Sequence, residues 1–265
     1  MSFEIVRHAF VMVFGNLRDS VKVSALPLVL TFLATFVLPP LFGLSTVDVA
    51  SAANLQALIQ GHPAGPIASV VAFFIAALYF FSMSWIAVGW HRFILLEEYP
   101  RLVPYLPLRQ VLGYLGRSFV IGIVVVAVGI PIGLIGGAAA GPFAAQGGAS
   151  VGVLIALFVI VLMASILTYV WLRLGIVLPS AAVGSPMPIL SGWRISAPIG
   201  GTIFTVSLIL VALNLGINLT VPQLLGGIPV VGQLVTLAVS WTTLMVGASI
   251  LTTLYGHLVE NRDLV

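Results

Sequence analysis

The chain has no cysteine, a single lysine and few charges of either sign. Without cysteine there is no disulfide framework, no thiolate nucleophile and no thiolate metal site. Charged residues make up 6% of the 265 positions, against about a quarter in soluble domains. A soluble fold of this length would therefore expose apolar patches well beyond the roughly few hundred Å² such proteins tolerate. His8, His62, His91 and His257 show no His-x-x-x-His spacing, so no metal site is expected. His91 and His257 fall at span ends, where an interfacial histidine is common, so no haem is expected either. Walker, Rossmann and zincin motifs are absent, and no acids, bases and nucleophiles converge. These absences predict a chain that is not an enzyme and carries no cofactor.

What is present is apolar: 60% hydrophobic residues and a mean hydropathy of +1.22. The net charge of +3 and pI near 9.6 come from ten dispersed cations, nine of them Arg. That dispersal fits topology determinants and excludes a nucleic-acid groove. Charge-free stretches run from Val49 to Trp90, Ser118 to Leu172 and Ile195 to Gly256. A crossing needs about 20 residues, so the last two stretches each hold two crossings, and turn residues at Gly141-Pro142, Gln146-Gly147-Gly148, Pro222 and Gly226-Gly227-Ile228-Pro229 divide them. With the run after Lys22 this predicts an all-α membrane helix bundle, one membrane domain over 1–265. Its six spans are placed near 23–43, 67–91, 118–139, 150–172, 200–221 and 231–256.

All ten cations fall on one side of that arrangement, and the three opposite loops carry none. The positive-inside bias then places both termini in the cytoplasm. Residues 1–20 read as an interfacial amphipathic helix rather than a cleavable signal. Phe3, Val6, Phe10, Val13 and Leu17 recur at helical spacing, while Glu4, Arg7, Asn16 and Arg18 interrupt any apolar core. The elbow Leu96–Gly116, with Pro100, Pro104 and Pro107, reads similarly, with Glu97 and Arg101 as an i, i+4 pair. Outside, a short surface helix is expected around Ala50–Gln60.

The even spans echo one another. Ala164-Ser165-Ile166-Leu167-Thr168 recurs as Ala248-Ser249-Ile250-Leu251-Thr252, and three spans end aromatic, any residue, basic: Trp90-x-Arg92, Trp171-x-Arg173 and Tyr255-x-His257. The segments entering the odd spans place Arg18, Arg117 and Arg194 just ahead of serines. Two readings stay open: three two-helix repeats, or the belt and snorkelling anchors of any cytoplasmic helix end. In span 3, Gly129, Gly133, Gly137 and Gly141 stand four apart and predict a helix-packing face. Pro131 in the same span is expected to bend it. No Asp, Glu, Lys or Arg sits near a span midpoint, which disfavours an ion-coupled pump.

The segment Trp90-His91-Arg92-Phe93-Ile94-Leu95-Leu96-Glu97 resembles a motif of alphaproteobacterial proteins of this size. The stretch Leu174–Pro179, continued by Gly192-Trp193-Arg194, resembles the cytoplasmic connector of stand-alone (YciC-like) relatives of the membrane domain of glycerophosphodiester phosphodiesterases. The resemblance covers an N-terminal interfacial helix and six spans. It implies a bacterial inner-membrane location and a role in envelope or lipid upkeep, with no catalytic domain and no activity carried over. The expected function is a non-enzymatic inner-membrane protein whose cytoplasmic rim binds anionic lipid headgroups through Arg18, Arg92, Arg117, Arg173, Arg194 and His257. The same cations also fit a purely topological role. Two other classes remain open, each bringing a protein partner: the permease of an ATP-driven exporter, and an accessory subunit of a respiratory or photosynthetic complex.

Overall fold

The computed structural model describes residues 1–53, 65–146, 148–225 and 229–263, and among them it is helical without a strand. Among the described residues six stretches are long and apolar enough to cross a membrane: Leu17–Leu41, Pro66–Leu96, Leu108–Ala138, Gly152–Ala182, Ala197–Val221 and Leu237–Leu258. The chain is a multi-pass integral membrane protein. It divides into two compact units, residues 17–115 and residues 1–16 with 116–265.

In the first unit, α2 (Leu17–Leu41) and α4 (Pro66–Leu96) pack antiparallel, with the short α3 (Thr46–Ala53) against them. Thr31 Oγ1 donates to Ser82 Oγ at 2.9 Å, and a Cβ on Gly89 would stand 3.0 Å from Val23. Helix α2 tolerates Pro27, Pro39 and Pro40 near its ends and closes in a Schellman motif. The Leu44 N–H donates to the Pro39 carbonyl and the Gly43 N–H to that of Pro40, and Gly43 supplies the positive φ of 68°. Ser45 and Asp48 then form a reciprocal capping box that starts α3: the Ser45 N–H and Oγ–H donate to the carboxylate, and the Asp48 N–H donates back. Those donors hold the Asp48 carboxyl below its ordinary value. Of the surface helix expected around 50–60, residues 50–53 fall within α3, which starts four residues earlier, and residues 54–60 lie outside the described residues, as does His62. Val49 and Ala52 bury against Ala68, Val71 and Ala72 of α4.

The second unit holds α1 (Ser2–Gly15), α5 (Leu108–Gln146) from Gly116 onward, α6 (Gly148–Gly175), α7 (Leu178–Ala182), α8 (Ile189–Ile195), a 3₁₀ turn (Ala197–Ile199), α9 (Gly200–Leu225) and α10 (Pro229–Leu258). Helix α1 docks on α10 and α9. Its buried face is Ile5, Val6, Ala9 and Val13, while Phe3 is exposed, and Leu17, the last of the predicted stripe, opens α2 instead. The stripe read from the large apolar residues is therefore rotated, with the small Ala9 buried and the bulky Phe3 turned outward.

Several helices outrun their expected spans. The glycine-proline pair at 141–142 does not end α5, which continues to Gln146, and α9 passes Pro222 to reach Leu225. In a bilayer an unpaired backbone group costs several kcal/mol, so helix persists where water would allow a break. Helix α5 also runs unbroken through Arg109, Arg117 and Pro131, fusing the second half of the elbow with the span. The turn residues Gly147, Gly226, Gly227 and Ile228 lie outside the described residues.

Candidate functional site

Each unit gathers its cations at one end. In the first, the antiparallel packing of α2 on α4 brings the ends bearing Arg18 and Arg92 together. In the second, Cβ positions built on Gly129, Gly133 and Gly136 meet Leu167, Met163 and Val159 of α6 at 3.3, 3.6 and 2.9 Å. That antiparallel register puts Arg117 at the Arg173 end. Gly175 packs on Leu251 of α10, so His257 shares that end too. Of the predicted packing glycines, Gly129 and Gly133 face α6, whereas Gly137 and Gly141 have no atom within 4 Å. Gly136 takes the third place. A 3.6-residue turn drifts off a strict four-residue spacing, and alternating steps of four and three follow one face.

Arg173 is the most constrained cation. It is 6% exposed. Its Nε donates to Ser196 Oγ at 2.8 Å, one terminal nitrogen to Tyr169 Oη at 2.9 Å and the other to the Trp193 carbonyl. The guanidinium lies 3.8 Å from the Trp193 ring centroid. It sits in the last turn of its own helix α6 and donates to the Trp193 carbonyl at the negative end of α8, so two helix dipoles stand in for a carboxylate. Gly192 makes this possible, because a Cβ there would sit 2.7 Å from the Arg173 carbonyl oxygen and 3.0 Å from that of Leu174. The guanidinium is thus spent on its own chain. Arg18 and Arg194 are exposed, and Arg117 is half-buried. His257 Nδ1 contacts the Arg262 carbonyl at 3.1 Å.

The three aromatic-x-basic ends thus share a habit: Arg92, Arg173 and His257 each reach forward to the chain that follows their helix. The equivalent serines Ser84, Ser165 and Ser249 are all buried. Ser84 and Ser165 donate back to the carbonyl four residues earlier.

Around Arg92 the first unit forms a cleft of about 370 Å³, lined by Val23, Trp85, Gly89 and Arg92 together with Glu98–Arg101, Pro104, Tyr105 and Pro107. The volume falls within the roughly 300–1,000 Å³ of small-molecule sites. Helix α4 ends at Leu96 on a left-handed Glu97 with φ 55°. The helical Glu97–Arg101 pair expected from spacing therefore has no helix to stand on. The turn instead swings Glu98 back onto Arg92, whose Nε donates to Oε2 at 2.8 Å while a terminal nitrogen donates to Oε1. Trp85 Nε1 donates to the Tyr105 carbonyl at 3.1 Å and pins the far wall. Arg101 is exposed and pairs with no carboxylate among the described residues. Sequence reading missed Arg101, Glu98 and Trp85 as one site. The available signal was a proline at 100, 104 and 107 with tyrosines at 99 and 105, a rigid aromatic strap beside a helix end.

Among the described residues no three His, Asp or Glu side chains stand close enough to hold a metal. No family model matches the chain, and no curated protein and no solved structure matches it.

Proposed function

We propose that the chain is a non-enzymatic protein of a bacterial inner membrane, with both termini cytoplasmic, that binds an anionic phospholipid headgroup in the Arg92–Arg101 cleft. The observation that carries the reading is the unequal state of two arginines at one lipid-sized site. Arg92 is fixed and neutralised by Glu98. Arg101 lines the same cleft with its charge unanswered. Glu97 is absent from the lining. The cleft therefore keeps one net positive charge among Trp85, Tyr99 and Tyr105, side chains suited to the headgroup layer. Arg173, satisfied by its own chain, serves the fold in this reading.

Native mass spectrometry of the protein released from nanodiscs of phosphatidylcholine and phosphatidylglycerol tests it. The wild type should retain a phosphatidylglycerol. Arg101→Gln should lower that retention about five-fold, the worth of roughly 1 kcal/mol per cation near an anionic surface. Arg194→Gln, exposed but outside the cleft, should leave it unchanged. Equal retention by wild type and Arg101→Gln would overturn the proposal.

A further inference from the structure

A second site lies in the other unit and does not depend on the headgroup cleft. Helices α6, α9 and α10, with Phe10 of α1, enclose an open groove of about 830 Å³. Its walls are mostly apolar: Ile160, Ala164, Leu210, Ala238 and Val246 are among them. On α10 the lining runs from Val235 to Gly247, about 18 Å along the helix. That is close to the depth of one leaflet of the roughly 30 Å hydrocarbon core.

Two asparagines of α9, Asn214 and Asn218, also line the groove. Asn218 Nδ2 donates to both the Asn214 carbonyl and Asn214 Oδ1, at 2.8 and 2.9 Å. This leaves the Asn214 Nδ2 donors without a partner among the described residues. On the α10 wall Thr242 and Thr243 make no such demand, since both donate to their own helix. Asn214 stands seven residues below Val221, the end of the apolar span, or about 10 Å. A 25-residue span is about 37 Å long and outreaches the core by about 4 Å at each end, which puts Asn218 at the hydrocarbon boundary and Asn214 about 7 Å inside it. Unsatisfied amide donors at that depth are costly in hydrocarbon. The nearest acceptor in a bilayer is the ester carbonyl of a lipid, drawn inward where its chain enters the groove.

We infer that this groove holds one ester-linked acyl chain of a membrane phospholipid. Asn214 donates to the ester carbonyl, and the chain runs down α10 toward Trp171 and Phe10. The site lies at the opposite end of α9 from Arg173: Asn214 is about 20 Å along the helix from Gly200, which itself abuts the Tyr169 hydroxyl. The lipid thus comes from the leaflet away from the arginines.

The test uses vesicles of dioleoylphosphatidylcholine doped with a phosphatidylcholine bearing a diazirine midway along one chain, in ester- and ether-linked forms. After photolysis, adducts should concentrate on 160–172 and 235–247. Gly247 has room for a Cβ, so Gly247→Phe should fill the groove and cut those adducts at least about five-fold. Annular labelling at the exposed Phe119 and Ile123 of α5 should persist. Ala238→Phe provides the same readout should Gly247→Phe fail to fold. The ether probe should label the wild-type groove about three-fold less, as for one hydrogen bond within a membrane. Asn214→Leu should abolish that difference. Labelling equal to the annular level and indifferent to both filling variants would overturn the inference. An ester preference unchanged in Asn214→Leu would overturn the role of the amide.

Discussion

The two ends of the second unit solve the same problem in opposite ways. At the Arg173 end, residues 172–182 are buried without interruption, and Ile176, Val177, Leu178 and Ala182 are fully inaccessible. This buried run joins the last turn of α6 to α7, and there the chain satisfies its own polar groups. Arg173 is met there by a hydroxyl, a phenol, a carbonyl and an indole face. Toward Asn214 the helices part and leave a groove with amide donors unspent. The contrast separates polar residues that build the protein from polar residues available to a ligand. Charge alone does not make that distinction: the buried cation is structural, and the neutral amide is the one left open.

Substitutions at the closed end should be the most damaging. Arg173→Gln removes three donated bonds and a cation over Trp193, and should cost roughly 3 kcal/mol in reversible unfolding. Arg173→Lys should recover less than half of this, since an ammonium cannot reproduce the planar fork. Gly192→Ala comes next, because its Cβ would press on two backbone carbonyls that cannot rotate away. We expect about 2 kcal/mol, as for other overpacked sites, read as a lower Tm in mild detergent.

Along the α5–α6 contact the effect should turn on a single residue step. Gly136→Ala should destabilise by about 1 kcal/mol, because its Cβ would meet the stiff, β-branched Val159 at 2.9 Å. Gly137→Ala meets nothing within 4 Å and should be neutral, or stabilising by up to about 1 kcal/mol through helix propensity. The reverse order would show that the two helices use another register. Smallest of all should be Thr242→Val on the groove wall, within about 0.5 kcal/mol, since its hydroxyl serves only its own backbone. A large loss of Tm there would break the comparison by making the groove part of the core.

The spans were legible because charge is so scarce that its absence marks hydrocarbon. Their ends were less so, since Arg109 and Arg117 mark the interface without ending a helix, and α5 carries both. Gly129 and Gly133 could be read from spacing, but Gly136 required knowing where α6 crosses. The fate of Arg173 was hidden for a different reason: its partners Trp193 and Ser196 lie 20 and 23 residues away, beyond a connector whose path no local pattern records. Arg101 was read into a helical pair because no glycine announces the left-handed turn that Glu97 makes. Asn214 and Asn218 stand in the sequence as two polar residues of an otherwise apolar stretch. Their unspent donors became apparent only once the bond between them was known.

The most direct measurement is a density map of the wild-type chain in a phospholipid nanodisc, enlarged by a rigid antibody fragment. We expect an elongated non-protein density between α6 and α10 that reaches Asn214, with none within hydrogen-bonding distance of Arg173. A headgroup seated on Arg173, or a groove filled by protein, would contradict it.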